Sequence, residues 1–316
     1  MDEKTFKEIK TNFQSRYFKY IKPNLDKFEE KRIKKLKTYN TLVLPICIAI
    51  SICLLILFLE FAKQGKQIDL ESIGIVAIPL IICKIVFYAF EKNLENEIKK
   101  TFMPTICKCF DGLNWTNNDY RNPREFHEIG LVNYYNDESF DDIFYGNYKD
   151  VNFEIIESKL VHETRGSKNR SRHTIFFGII LKLTMPKDFE SHTLIRPDGL
   201  LKMPIKNLKR TELEDVIFEK KYDVYTNNEV EARVTITTGF MERLNNIEKV
   251  FNSQKTYCCF IDNKAYFGLH TKRDMFKICS LKQPINNPKY FAKMFEEMIS
   301  IYRLIDYLKL AKEVNT

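Results

Sequence analysis

The chain has 316 residues, of which 44% are hydrophobic and 29% are charged, with only ten glycines and ten prolines. Such a composition excludes a largely disordered chain, and the length allows one large domain or two modest ones. The net charge of +8 is small for this length, so charge alone does not indicate a nucleic-acid partner.

Residues 1–40 form the first predicted segment, a basic amphipathic helical stretch on the cytosolic side. Phe6, Phe13 and Tyr17 recur at helical spacing, and Pro23 is expected to break the helix. Twelve Lys or Arg side chains lie in this segment. Two interpretations stay open, because such a helix would lie on the inner leaflet or pack on the cytosolic domain.

Residues 41–90 are predicted to form a transmembrane hairpin with spans at 42–59 and 73–90. The first span has no charge, and thirteen of its eighteen residues are Leu, Ile, Val or Phe, a run rarely found in a soluble core helix. The second span contains Lys84, an intramembrane cation without a carboxylate in either span. We expect Lys84 to snorkel or to make a helix–helix contact, and the alternative is a role in transport.

The orientation of the hairpin follows from the distribution of cations around it. The twelve cations of residues 1–40 precede the first span, only two lie in the linker 60–72, and further lysines follow the second span. The positive-inside rule therefore predicts that both termini are cytoplasmic.

Residues 91–316 are predicted to form a cytosolic α+β domain. Alternating apolar residues around Asn147–Asp150 and a turn at Asp262-Asn263 predict β-hairpins, "VIFEKKYDVYTN" predicts a further strand, and a long helix is expected from Pro288 onward. The predicted fold class is therefore α+β, with a two-helix transmembrane hairpin, a mainly antiparallel sheet and a long C-terminal helix.

A basic turn is predicted between two of these strands, with His162 and His173 facing each other if the strands pair in register. It contains four cations, Arg165, Lys168, Arg170 and Arg172. At about 1 kcal/mol each near an anionic leaflet, they would dock the domain with roughly 3–4 kcal/mol. The alternative is a solvated turn without a role. The turn lacks aromatic residues, so no nucleic-acid partner is predicted.

No catalytic residue, metal site or cofactor is predicted. The linear motifs of nucleotide binding, zinc proteases and serine hydrolases are absent, and eight cysteines without zinc-knuckle spacing are interpreted as reduced thiols. The acidic run 136–142 matches no ion-binding loop, so a solvated turn is preferred over a Ca²⁺ or Mg²⁺ site. Glu231 and Arg233 would lie on one side of a strand and form a structural pair.

Three passages together resemble a known family. They are "DDIFYGNYKDVNFEIIESKL" at 141–160, "FFGIILKLTMPKDFESHTLI" at 176–195 and "FEKKYDVYTNNEVEARVTITTGFMERL" at 218–244. With a two-helix anchor ahead of them, they resemble bacterial two-pass membrane proteins catalogued as domain of unknown function 3137. The resemblance covers about residues 91–280 and implies a bacterial inner or plasma membrane protein with a cytosolic domain. It brings no activity, ligand or catalytic residue.

The sequence thus predicts an integral membrane protein whose cytosolic domain is a binding or scaffolding module at the inner face of the membrane. The expected partners are anionic lipid headgroups, a protein, or further copies of the chain. The alternative is a membrane-surface enzyme whose site is assembled from residues distant in sequence.

Overall fold

The structure is a computed structural model, which describes residues 3–63, 70–110, 112–117, 122, 124–165, 170–186, 188–198 and 207–314. The chain divides into two compact units. The helical unit comprises Phe13–Thr105 and Lys277–Ala292. The α+β unit comprises Met1–Asn12, Ile106–Phe276 and Lys293–Thr316.

The first long helix of the chain has three α-helical stretches joined by two π-helical turns. They are α1 (Glu3–Arg16), a turn at Tyr17–Ile21, α2 (Lys22–Thr38), a turn at Tyr39–Val43 and α3 (Leu44–Lys63). The prediction that Pro23 breaks this helix is wrong. Pro23 lies in the first turn of α2, directly after a π-helical turn, where the missing N–H costs little because the hydrogen-bonding pattern changes there anyway.

The second long helix, α4, runs from Leu70 to Cys107 and packs antiparallel to α2 and α3 within the helical unit. Ring contacts between Tyr39 and Phe87, at 4.9 Å, and between Phe28 and Phe102, at 5.4 Å, fix the register. Both long helices are long and apolar enough to cross a membrane, and only 11% of the most apolar stretch of each is buried.

The apolar stripe of the N-terminal segment is covered by the protein itself. Ile21, Leu25 and Phe28 are buried, and the Tyr17 ring lies 5.4 Å from that of Phe291. This packing buries part of the stripe within the helical unit, and the choice between the inner leaflet and the cytosolic domain stays a prediction.

Two carboxylates of the helical pair, Glu91 and Glu29, bind the short segment 277–292. Glu91 accepts hydrogen bonds from Lys277 Nζ at 2.6 Å, Ser280 Oγ at 3.1 Å and the Leu281 amide at 3.0 Å. Glu29 accepts from the Ile285 amide at 2.9 Å. Because these bonds join distant parts of the chain, the helical unit is completed only by residues near the C-terminus.

The described part of the α+β unit contains a nine-stranded sheet in the order β1-β2-β3-β4-β9-β8-β5-β7-β6, with every pairing antiparallel. The α+β prediction with a mainly antiparallel sheet and a long C-terminal helix is confirmed. The strands are β1 (Asn114–Thr116), β2 (Asp137–Tyr148), β3 (Val151–Arg165), β4 (Arg170–Thr184), β5 (Thr193–Pro197), β6 (Lys209–Thr211), β7 (Tyr222–Thr226), β8 (Lys255–Ile261) and β9 (Lys264–His270).

Two tight turns lie where the sequence predicts hairpins. Lys149 and Asp150 have φ of 49° and 65° between β2 and β3, and Asp262 has φ of 50° between β8 and β9. Two-residue hairpin loops need such left-handed conformations, which Asp and Asn adopt more readily than most residues.

The helices that follow β1 are α5 (Glu125–Glu128), α6 (Val216–Glu219), α7 (Glu229–Thr235), α8 (Thr238–Phe251) and α9 (Lys289–Val314). The strand predicted for "VIFEKKYDVYTN" is wrong in its first half, where α6 forms. The strand predicted around Glu231 and Arg233 is also wrong. Asn228 caps α7 by accepting from the Glu231 amide at 3.3 Å, so a local capping signal overrides the alternation of apolar residues.

The C-terminal helix packs on the sheet through aromatic residues. The ring of Tyr302 lies 5.5 Å from that of Phe110, 4.6 Å from that of Tyr148 and 5.5 Å from that of Phe153. A second cluster of buried residues includes Phe126, Ile156, Leu160, Phe176, Ile180, Leu194 and Tyr266. The sheet is therefore a buried platform, and its polar residues need internal partners.

Candidate functional site

The predicted basic turn is the tip of the long β3–β4 hairpin. Lys168 lies outside the described residues, as do the side chains of Arg165 and Arg170, whose backbones face each other in the register. Arg172 is exposed and forms an ion pair with Asp137, with Glu163 3.8 Å away. Its positive charge is therefore partly neutralised within the hairpin.

The histidines that flank the hairpin tip do face each other, as predicted. His162 is directly opposite His173 in the β3–β4 register. The exposed ring of Tyr134 lies 5.5 Å from that of His162 and 5.3 Å from that of His127. The hairpin thus has, near its tip, a small aromatic group that the sequence did not predict, because Tyr134 and His127 come from outside the two strands.

All the carboxylates of the acidic run 136–142 belong to β2, which begins at Asp137, so the turn predicted there is wrong. A bulge between Phe140 and Ile143 holds Asp141 and Asp142, and their carboxylates lie within 4.8 Å of each other and of Glu157. Asp142 accepts from Trp115 Nε1 at 2.8 Å, and Glu157 accepts from the Met275 amide at 2.7 Å. These are the residues that could hold a cation, but hydrogen bonds already occupy part of their oxygen atoms.

A polar row crosses three adjacent strands beneath α5. Glu154, Lys182 and Tyr266 are neighbours in the register of β3, β4 and β9. Glu125 from α5 lies 3.0 Å from Lys182 Nζ and accepts a hydrogen bond from the Tyr266 hydroxyl. Burial, followed by this hydrogen bond to a carboxylate, raises the pKa of Tyr266, so the phenol remains a donor and the row is a stable internal network.

A cysteine on β8 lies close to a histidine in the segment before β5. Cys259 Sγ lies 3.6 Å from His192 Nε2, which is also 3.1 Å from the Ile129 carbonyl oxygen. Burial raises the pKa of the Cys259 thiol and lowers the pKa of His192. A nucleophilic cysteine needs the opposite shift, because the thiolate is the reactive form. The pair is therefore suited to packing rather than to nucleophilic attack.

The exposed apolar residues of the α+β unit include a group on two short helices. Val216 and Ile217 lie on α6, and Val230 and Val234 lie on α7; we call them the α6–α7 surface. Ile217 is 79% exposed and Val230 is 74% exposed. Arg233 of α7 donates to the Glu212 carbonyl oxygen at 3.0 Å, which links α7 to the segment ahead of α6. Residues 212–235 carry seven carboxylates and three cations, so the surroundings are acidic.

Lys84, the cation predicted inside the second span, is exposed on α4. It precedes Phe87 by about one helical turn, and Phe87 contacts Tyr39. Tyr39 also lies beside Cys83, with 3.0 Å between the hydroxyl oxygen and Sγ. Lys84 is therefore level with the start of the first apolar stretch, not with its middle.

Residues 174–310, which include β4 to β9 and most of α9, match the family model described as Protein of unknown function (DUF3137). This region of the chain is similar to that family. No curated protein matches the sequence of this chain. A solved structure with 9% sequence identity and a TM-score of 0.37 is described as the mycobacterial trehalose monomycolate transport factor A, TtfA. The likeness covers 63% of this chain and 88% of that chain, and at this score it carries no functional information.

Proposed function

We propose that this protein is a two-pass protein of a bacterial inner or plasma membrane, with both termini cytoplasmic and the α+β unit acting as a binding module at the inner face. The observation that carries the proposal is the exposure of the apolar helices. Only 11% of the most apolar stretch of each long helix is buried, whereas a core helix of a soluble protein is mostly buried. Two such helices side by side are suited to a bilayer.

The α6–α7 surface is the part of the α+β unit best suited to a protein partner. Two adjacent exposed aliphatic side chains on α6 and two, one helical turn apart, on α7 favour an interaction site, since scattered single residues are the norm on a free surface. The excess of carboxylates around it disfavours an anionic leaflet and favours a partner that carries lysine or arginine beside its apolar residues.

The enzyme alternative has one arrangement in its favour, the contact between Cys259 and His192. The fold brings these two residues, distant in the sequence, to 3.6 Å between Cys259 Sγ and His192 Nε2. The raised pKa of the thiol and its complete burial argue against nucleophilic catalysis. We therefore retain binding as the proposed function.

The anchor is tested by extraction of membranes with sodium carbonate and by C-terminal fusions. We expect the full chain to stay in the membrane pellet, a fused green fluorescent protein to fluoresce, and a fused alkaline phosphatase to be inactive. Release of the chain by carbonate would overturn the proposal of an integral anchor, and an active phosphatase would overturn the orientation.

The binding surface is tested by in-cell crosslinking of the full chain and of the variant Ile217→Ser/Val230→Ser. We expect the major crosslinked species of the wild type to fall at least fivefold in this variant. Tyr145→Ser, a change at an exposed aromatic residue on β2, is the matched control and should leave crosslinking unchanged. An equal crosslinking yield in all three proteins would exclude the α6–α7 surface as the interface.

A further inference from the structure

The register of the helical pair defines the level at which the apolar surface begins. Tyr39 contacts Cys83 and Phe87, and Lys35 Nζ lies 5.8 Å from the centre of the Phe90 ring. Since the helices are antiparallel, Lys84 is level with the polar residues just ahead of Leu42. The charge-free surface of the pair therefore lies on one side of this level, and cations lie on the other.

Three segments meet at this level, and none of them contains a carboxylate. Residues 31–41 carry five cations, residues 81–90 carry Lys84, and residues 277–285 carry two lysines. The last segment is held there by hydrogen bonds from Leu281 to the helical pair: its amide donates to Glu91, and its carbonyl oxygen accepts from Arg32 at 2.6 Å. A high density of positive charge results at one end of the apolar surface.

Three of the carboxylates that come next along the helices have cationic partners. Glu91 pairs with Lys277 at 2.6 Å, Glu97 pairs with Lys31 at 2.6 Å, and Glu29 pairs with Arg32 at 2.6 Å. These pairs account for Lys277, Lys31 and Arg32, and Glu97 also attracts Lys35, which leaves exposed cations that include Lys37, Lys84 and Lys282.

Aromatic side chains lie among the same cations. Lys282 Nζ is 5.6 Å from the centre of the Phe87 ring, and the Tyr88 side chain is among the most exposed of the chain's large residues. Rings at the level of lipid headgroups, with lysines next to them, are typical of the boundary between a bilayer and water.

We propose that Lys35, Lys37, Lys84 and Lys282 form a cationic collar that binds the phosphate headgroups of anionic phospholipids. This inference rests on the proposed insertion of the helical pair. It gives Lys84 a role in which its ammonium group lies among headgroup phosphates. It also differs from the docking predicted for the hairpin tip, because the collar belongs to the helical unit itself.

The collar is tested on the full chain in bilayer nanodiscs of phosphatidylcholine containing increasing fractions of phosphatidylglycerol. Mass spectrometry of the purified particles counts the phosphatidylglycerol retained per protein after exchange with pure phosphatidylcholine. For Lys35→Gln/Lys84→Gln/Lys282→Gln we expect the apparent affinity to fall about fivefold for each lysine removed. The triple Lys→Arg variant keeps the charge and should retain the lipid.

The control is Lys220→Gln/Lys249→Gln/Lys255→Gln, which removes the same charge from exposed sites of the α+β unit. Equal loss of phosphatidylglycerol in both triple variants, or no loss in either, would overturn the collar. Unchanged circular dichroism in pure phosphatidylcholine shows that a variant is folded. Carbonate extraction separates the two proposals: a released wild type contradicts the anchor, whereas a retained wild type without lipid preference contradicts the collar alone.

Discussion

The backbone amide of Phe177 donates a hydrogen bond to Nδ1 of His270, with 3.1 Å between the two nitrogens. The bond requires an imidazole that is neutral at Nδ1. Burial, with smaller effects from Lys272 and Lys255, lowers the pKa of His270 to about 4. No carboxylate is among the groups that shift this pKa.

The first prediction follows from this shift. An unfolded chain binds a proton at His270 near pH 6.5, whereas the folded chain binds it only near pH 4. The unfolded state therefore holds more protons between these values, and the stability that His270 contributes is complete above about pH 6.5 and is lost as pH falls toward 4. Thermal unfolding of the α+β unit, followed by circular dichroism on the full chain, should show Tm falling across this window. In His270→Asn, Tm should fall less between pH 6.5 and 4. The same dependence of Tm on pH in both proteins would contradict the role given to His270.

The second prediction concerns close approach of the backbone of β4 to that of β9. A Cβ added at Gly178 would lie 2.0 Å from the Leu269 carbonyl oxygen, which has no room to move within the sheet. Gly178→Ala should therefore lower the free energy of unfolding by an amount near the upper end of the ~1–3 kcal/mol range for overpacking. Gly268→Ala is the control, because its nearest atoms are side-chain carbons at 3.4 Å. Similar Tm values for the two variants would contradict the packing described here.

The third prediction tests the polar row beneath α5. Lys182→Met removes the ammonium group that lies 3.0 Å from Glu125, so the carboxylate remains in a buried site without that cation. We expect a loss of about 2 kcal/mol in the free energy of unfolding. The double variant Lys182→Met/Glu125→Gln should recover part of it, as a double-mutant cycle would measure. Additive losses would mean that the two side chains do not interact.

The fourth prediction concerns the thiol of Cys259. Because the side chain is buried and its pKa is raised, iodoacetamide at pH 8 should modify Cys259 at least a hundredfold more slowly in the folded chain than in urea. Peptide mass spectrometry measures both rates. Rapid modification of Cys259 in the folded chain would support the enzyme alternative, with His192 as the base.

The fifth prediction addresses the hairpin tip, for which lipid contact remains a proposal. If the tip contacts the leaflet, Arg165→Ser/Lys168→Ser/Arg170→Ser/Arg172→Ser should reduce crosslinking of a photoactivatable anionic lipid to β3 and β4. Arg172 should contribute less to lipid binding than the other cations, because it forms an ion pair with Asp137. Lys220→Ser/Lys249→Ser/Lys255→Ser serves as the control. Equal lipid labelling in the tip variant and the control would mean that the tip is a solvated turn without lipid contact.

The sequence predicts features that depend on local signals. The charge-free stretch 42–59 has the composition of a span, and the Asp262-Asn263 turn has residues that adopt left-handed conformations. The alternation of apolar residues in 229–236 predicts a strand, whereas the cap at Asn228 determines the helix α7. The sequence also predicts the face-to-face histidines of the β3–β4 hairpin, since register within a hairpin follows from its turn.

The clusters that matter for function join residues without any local relationship. Glu125, Lys182 and Tyr266 come from three separate elements, and no periodicity links them. The cationic collar likewise needs Lys282, which lies far from both predicted spans in the sequence. Sequence periodicity reports which face of one element is apolar, but a polar contact between distant elements has no repeating signature.

The bond between Glu91 and Lys277 also sets an order of events during synthesis. The two residues are 186 positions apart, and at bacterial or eukaryotic translation rates roughly 10–40 s separate their emergence from the ribosome. Both apolar helices are complete long before residues 277–285 emerge from the ribosome. Under the proposed insertion, Glu91 therefore lacks its partner Lys277 while the helical pair enters the bilayer, and a segment made later completes the polar end of the pair.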